Sequence, residues 1–312
     1  MSVKAKKVTL LDKVNKHKSL IPFVIPAILF ALIFCYLPMV GILIAFKDDP
    51  NFIRYGFFGA LAEADWTFDH FKMIFENPEI FQAVRNTLII SVMKIVILFP
   101  LPVILAVMIT ELRSQKFSKL VQGIVFLPHF FSWVVIVGIF NSIFEVYGPV
   151  NNIIEAFGGD SIYFIGNKDW FRWLVVILSG WKEIGYSSIV YIAAIMSIDP
   201  SLYEAAKIDG ASKLKQIWSI TIPSIMPTII VMLIIRIGYL MDAGFEQVYA
   251  MFNANIKETG DIIGTYVYRL ATGSESNYGL STAVGLLNGL ISMGLILGAN
   301  YFSKKKTGSG VW

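Results

Sequence analysis

An all-α membrane fold of about six transmembrane helices is what this sequence predicts, and three observations carry the prediction. Of the 312 residues, 56% are hydrophobic and only 15% are charged, with a mean hydropathy of +0.66; a water-soluble chain carries about 25% charged and about 45–50% apolar residues. Six stretches approach the roughly 20 apolar residues that a helix needs to cross a bilayer. Lys and Arg gather beside alternate connections, the pattern of chains that keep their basic residues on the cytoplasmic side. The single cysteine, Cys35, excludes a disulfide framework.

The elements follow in chain order. A tail, residues 1–20, precedes the first apolar stretch at 21–46, which is too long for the apolar region of a signal peptide and lacks a small-residue cleavage site, so it reads as a retained span. Residues 67–75 are too short and too charged to span and read as a surface helix. The second span covers 87–109, where Pro100 and Pro102 remove backbone donors and should bend it. Residues 121–144 form the third span, 171–198 the fourth, 223–240 the fifth and 283–302 the sixth, before a tail at 303–312. Gly285, Gly289, Gly294 and Gly298 give the sixth span a small-residue stripe for close helix packing. Between the fifth and sixth spans, residues 242–278 mix Phe245, Tyr249, Phe252, Tyr266 and Tyr268 with polar residues, as a re-entrant or interfacial helix would. The whole of 21–302 is one transmembrane domain.

Fifteen Lys and Arg lie on the two tails and the second and fourth connections, against eight on the other, longer loops. Both termini are therefore expected in the cytoplasm. The same distribution explains the net charge of +4 without nucleic acid. Catalytic constellations are missing: there is no Gly-rich phosphate loop, no Gly-x-Ser-x-Gly, and His17, His70 and His129 are too scattered to hold a metal.

The connection at 199–223 is the informative one. Ser201 and Glu204 have the spacing of a capping box after Pro200. Ala205 and Ala206 keep one face thin, and Gly210 can take the left-handed geometry that ends a helix. A second short helix, 212–220, should follow before Pro223 opens the fifth span. The product is a cytoplasmic helical hairpin, either a docking element or an amphipathic loop lying on the bilayer.

Glu204-Ala205-Ala206, three residues, Gly210, nine residues, then Ile220-x-Ile222-Pro223 closely resembles the E-A-A-x3-G-x9-I-x-L-P signature of permease subunits of binding-protein-dependent ABC importers, with Ile222 where Leu is usual. Residues 71–91, with Asn86-Thr87, resemble sugar permeases of the maltose-transporter type. Asp261-x-x-Gly264-Thr265-Tyr266-Val267-Tyr268-Arg269 and the run from Tyr278 through Gly285 are similar to the complex-oligosaccharide branch of those permeases.

The resemblance implies a type I ABC importer-like permease in a bacterial cell membrane, paired with a second permease subunit as a heterodimer. A dimeric cytoplasmic ATPase would bind ATP and Mg, and an extracellular binding protein would deliver an oligosaccharide. The chain itself would be no enzyme, with no catalytic residue, metal or cofactor of its own. Glu204, Ala205, Ala206, Asp209, Gly210, Ile220, Ile222 and Pro223 would couple to the ATPase.

For the substrate path, ionisable residues inside spans are the candidates, because lipid exposure costs a few kcal/mol or more. Trp181, Lys182, Glu183 and Tyr186 cluster near mid-depth of the fourth span, where an inter-subunit ion pair is the alternative role for the two charges. Arg236 lies toward the outer end of the fifth span, Asn288 in the sixth, and Lys94 in the outer third of the second. A self-contained secondary carrier is a rival, but it should show an inverted repeat or paired broken helices, and neither is visible. A membrane receptor or scaffold would use the hairpin as a simple protein dock.

Overall fold

Proline decides where the apolar stretches break. The computed structural model describes residues 21–50, 52–273, 276–308 and 310–311, and among these there is no β-strand beyond a single Lys47–Trp66 bridge. The expected tail at 1–20 lies outside the described residues. Five helices are long and apolar enough to cross a membrane, and the helix Lys168–Met196 with its continuation Pro200–Ile208, bent by 69°, makes a sixth.

The first span, Pro22–Phe46, carries Pro26 and Pro38 and passes from α-helix through a π segment at Ala31–Tyr36 into 3-10 geometry at Leu37–Phe46. In the second, Pro78–Leu98 and Pro100–Thr110 run on as one 33-residue span interrupted only at Phe99, directly before the proline that lacks a donor. That span begins nine residues earlier than expected because Asn77 caps the amide of Glu79.

Two expectations fail. The third span is not continuous: Gln115–Phe126 leads into a 3-10 turn at Leu127–Phe130 and restarts at Trp133–Phe144. Pro128 cannot donate to the preceding turn, and Ser132 caps the new helix through the amide of Val135. The separate helix at 212–220 is also absent. Lys213–Gln216 passes through a π segment, Ile217–Thr221, directly into Ile222–Gly238, so Pro223 lies within one 26-residue span. The widened π turn accommodates the ring and the missing donor of Pro223 without a break. The last helix, Tyr278–Thr307, is capped by Asn277 and ends at Gly308, so it continues past the expected boundary at 302.

Helix Lys168–Met196 is the hub. Near its start Phe171, Leu174, Val175 and Leu178 are buried against Ile136, Val248, Ile256 and Ile262. Toward its other end Tyr191 and Ile192 pack with Val103, Ala106, Ile109 and Ile225. The predicted surface helix forms at Asp69–Glu76 but is no free element, since His70 and Ile74 are buried against the start of the last span. Phe23, Phe30 and Phe34 on the first span are more than half exposed. Apolar surface on that scale requires lipid or a partner chain.

Candidate functional site

Among the described residues a cavity of about 320 Å³ opens between the second, fourth and fifth spans, lined by Ser91, Lys94, Ser179, Glu183, Arg236 and Asp242 among others. A second, of about 170 Å³, shares Leu98, Glu183, Arg236 and Tyr239 with it. The polar groups of this wall are unequally committed. Lys94 Nζ donates to Ala243 O at 2.8 Å and to Gln247 Oε1 at 2.9 Å. Glu183 Oε2 lies 3.1 Å from His129 Nδ1. Arg236 is exposed and makes no hydrogen bond or ion pair with described residues, and the buried Ser91 Oγ has no partner. The uncommitted cation in the cavity is therefore a guanidinium, and the exposed carboxylate of Asp242 on the same wall accepts, among the described residues, only the Phe245 amide, at 3.4 Å.

The back of the cavity is a sharply turned segment. Ala243 and Gly244 both take positive φ, 53° and 87°, turning the chain sharply into the short helix Phe245–Met251. Gln247 on that helix is fully buried and held by three bonds to two helices: it accepts from Ser179 Oγ at 2.6 Å and from Lys94, and its Nε2 donates to Val175 O at 2.8 Å. Irregular backbone at membrane depth survives only where such partners exist.

Of the six path candidates, the structure places Glu183 and Arg236 on the cavity. Lys182 is buried elsewhere: its Nζ donates to His129 O and Phe131 O, each at 2.6 Å, and lies over the Trp133 ring. It satisfies the carbonyls left open by the break in the third span, a demand invisible until that break is seen. Tyr186 stacks on His129 at 3.7 Å, Trp181 meets Phe140 edge-on, and Asn288 is half-buried with Oδ1 unpartnered, all away from the cavity lining. Lys94, Ser91 and Gln247 carry more of the site than their sequence signal promised. The available signal for Gln247 was a lone amide three residues after Gly244 in an aromatic stretch.

This geometry gives a labelling prediction. In a Cys35→Ser background, a cysteine at 183 should react with a small charged thiosulfonate from the aqueous side, while one at 182 should not. Equal reaction at 182 would show that Lys182 also faces the path.

The hairpin stands at the far end of the fourth and fifth spans. Asp199, not Ser201, caps Pro200–Ile208: its Oδ1 accepts the Ser201 amide at 2.9 Å, and that amide together with the Ser201 hydroxyl holds the carboxyl below its ordinary value. The expected capping box does not form and the cap moves to Asp199, because Pro200 occupies the first helical position, where a missing N–H costs nothing. Gly210 has φ +74°, and the amides of Gly210 and Ala211 close back on Lys207 O and Ala206 O. This paired closure is a Schellman ending. Tyr203 OH meets Thr221 Oγ1 at 2.9 Å, Gln216 donates to Ala211 O, and Lys213 pairs with Glu111, so the turn is tied rigidly to the fifth span and to the end of the second. Glu204 is exposed and has no partner among the described residues, and Ile208, Leu214 and Trp218 are at least 70% exposed. Ile220 and Ile222 lie half-buried on the π segment and the turn after it, with Pro223 exposed.

Spans, polar cavity and rigid protruding hairpin together define a membrane permease. The chain belongs to the family of binding-protein-dependent transport system inner membrane components, whose pattern matches residues 98–305. It is 41% identical to protein LplB of Bacillus subtilis over 96% of this chain and 92% of that one. It is 39% identical to the polygalacturonan/rhamnogalacturonan transport system permease YteP of the same organism, over 99% and 95%. Among solved structures, a chain of a bacterial ABC transporter that imports the acidic polysaccharide alginate superposes with a TM-score of 0.87 at 38% identity, covering 96% of this chain and 99% of that one. The same kind of transporter, in complex with an alginate pentasaccharide-bound periplasmic protein, gives 0.86 over 97% and 99%. The protein is thus a multi-pass inner-membrane permease of a binding-protein-dependent ABC importer.

Proposed function

We propose that this chain is one of two permease subunits of an ATP-driven importer that carries an oligosaccharide bearing carboxylates, handed over by an extracellular binding protein, into the cytoplasm. The observation that carries the substrate class is the cavity itself: Arg236 is its uncommitted cation and Ser91 Oγ its unpartnered hydroxyl. Glu183 and Lys94 are already spent on protein partners, and the Asp242 carboxylate accepts the Phe245 amide that opens the helix behind the cavity. A guanidinium takes a carboxylate in a two-pronged hydrogen bond, and a buried hydroxyl suits a sugar hydroxyl. Relatives named for polygalacturonan/rhamnogalacturonan and for alginate support the same class.

ATP hydrolysis takes place in separate subunits, docked on the 199–223 hairpin. Glu204 and Asp209 supply polar contacts there, Gly210 the turn, and Ala205 and Ala206 the thin face. Both termini then lie on the cytoplasmic side with the hairpin.

Uptake into proteoliposomes by the assembled importer tests the class, with trigalacturonate as the acidic probe and maltotriose as the neutral one. Arg236→Gln should reduce acidic uptake at limiting substrate by about tenfold or more, the value of one charge-assisted hydrogen bond, and leave neutral uptake unchanged. Equal loss of both probes, or wild-type uptake of maltotriose alone, would overturn the acidic class.

A further inference from the structure

Three aromatic rings stand together immediately beyond the cavity. Phe245 and Tyr249, one turn apart on Phe245–Met251, have centroids 5.5 Å apart and planes within 26°. Tyr268, on helix Ile263–Thr272, lies 5.7 Å from Phe245 and 4.8 Å from Tyr249. Phe245 directly follows Asp242, Ala243 and Gly244, all of which line the cavity, so the chain passes from the cavity wall straight into the helix that carries two of the rings.

The group is displayed, not buried. Tyr249 is 49% and Tyr268 40% exposed. Gly264 makes room for the innermost ring, since a Cβ there would lie 3.0 Å from Phe245 Cδ2 and 3.2 Å from its Cβ. Each supporting helix is pinned from below. Gln247 anchors the first through Ser179, Val175 and Lys94. Arg269 locks the second through two bonds to the Asp261 carboxylate at 3.0 and 2.6 Å, and Thr265 Oγ1 donates to the same group at 2.8 Å. Aromatic side chains held partly open on rigid backbone present flat apolar faces edged by hydroxyls, which is the complement of the C–H face and rim of a pyranose ring.

We infer that Phe245, Tyr249 and Tyr268 form a sugar-stacking subsite beside the cavity, where a pyranosyl unit of the oligosaccharide rests against Tyr249 and Tyr268 on its way to Arg236 and Ser91. The inference rests on the transport reading given above but not on the acidic class, because stacking uses the ring face shared by acidic and neutral sugars. It also gives a role to the Gly264, Tyr268 and Arg269 positions of the 261–269 motif: Gly264 seats the platform, Tyr268 forms part of it, and Arg269 with Asp261 braces its helix.

The test uses the assembled importer in nanodiscs and proteoliposomes, with trigalacturonate and maltotriose as probes. Tyr249→Ala and Tyr268→Ala should each raise the half-saturating concentration of whichever probe the wild type carries by about tenfold, with the maximal rate little changed. Tyr249→Phe and Tyr268→Phe, which keep the ring, should stay within about twofold of wild type. Docking of the unloaded binding protein should be the same in all four variants. In the wild type, saturation-transfer NMR from the aromatic protons should reach the sugar C–H protons, a measurement that needs no variant to fold. Loss of unloaded-protein docking in the alanine variants would make the cluster a protein-docking face and overturn the subsite. So would unchanged half-saturation, or absence of aromatic transfer while uptake is intact. Failure of the wild type to carry either probe despite an assembled complex would remove the transport reading and the subsite with it.

Discussion

Replacement of Gly185 by valine should abolish the folded permease. The fourth span and helix Gln115–Phe126 approach so closely at this position that a Cβ on residue 185 would lie 1.9 Å from Val125 O and 2.5 Å from Val125 C. Those are backbone atoms on a packed helix, which cannot rotate aside as a side chain can. Overpacking that side chains absorb costs about 1–3 kcal/mol; a backbone overlap on the hub helix should cost more, a large part of the roughly 5–15 kcal/mol that holds a domain together. Neighbouring glycines supply the controls. At Gly180 the nearest atom is Leu98 Cδ2, 3.0 Å away at the end of a flexible side chain, and at Gly138 nothing lies within 4 Å. Retention of monodisperse protein in detergent after a temperature ramp should therefore fall steeply for Gly185→Val and mildly for Gly180→Ala. Gly138→Ala should hold or gain slightly, since alanine is the better helix former by up to about 1 kcal/mol. Comparable retention of all three would mean that the two helices do not meet in this way.

The second large effect concerns coupling. Gly210→Val and Glu204→Lys should leave insertion, folding and binding-protein docking intact while reducing substrate-driven transport by at least about tenfold, for two different reasons. At Gly210 the space around the added side chain is open, yet φ of +74° is a backbone conformation that a β-branched residue resists. The strain is about 1–2 kcal/mol, enough to unwind the Schellman closure and swing Ile208 and Asp209 away from their positions. Glu204 has no partner within the described chain, so reversal of its charge disturbs nothing internal and acts on whatever docks there. Pull-down of the ATPase with the reconstituted permease pair, together with sugar-stimulated ATP hydrolysis, reads both variants. The Gly210 variant should keep weakened binding and lose stimulation; the Glu204 variant should lose binding. Normal binding and stimulation in both would place the dock elsewhere on the cytoplasmic face.

The division between legible and illegible features follows from the range of the interactions involved. Composition and apolar run length depend on no partner, so membrane residence and the approximate position of every span but the broken third are legible directly. The turn at Gly210 was equally open, because the left-handed residue and the closure around it are local. The capping box failed by two residues for a local reason that is easily misread: Pro200 takes the first helical position, which makes Asp199 the cap. At Pro223 the outcome depended on a π turn five residues long, a choice that the proline alone does not make.

The site depended on contacts between distant segments. Lys182 and Glu183 are adjacent in sequence and were equal candidates, yet one seals the carbonyls of a broken helix more than 50 residues away and the other faces the cavity. Lys94 and Gln247 meet across 153 residues, and Arg172 meets Asn86 across 86. That this chain lives in a membrane, spans it about six times and carries a helical hairpin between its fourth and fifth spans is legible without a structure, since each of these is set by local hydrophobicity, proline, glycine and charge. Which polar side chains are consumed in satisfying backbone and which stay free for a substrate was decided only by the tertiary structure. An unpaired polar group at membrane depth costs several kcal/mol, so every such side chain is first claimed by the nearest open partner, and packing alone decides where that partner is.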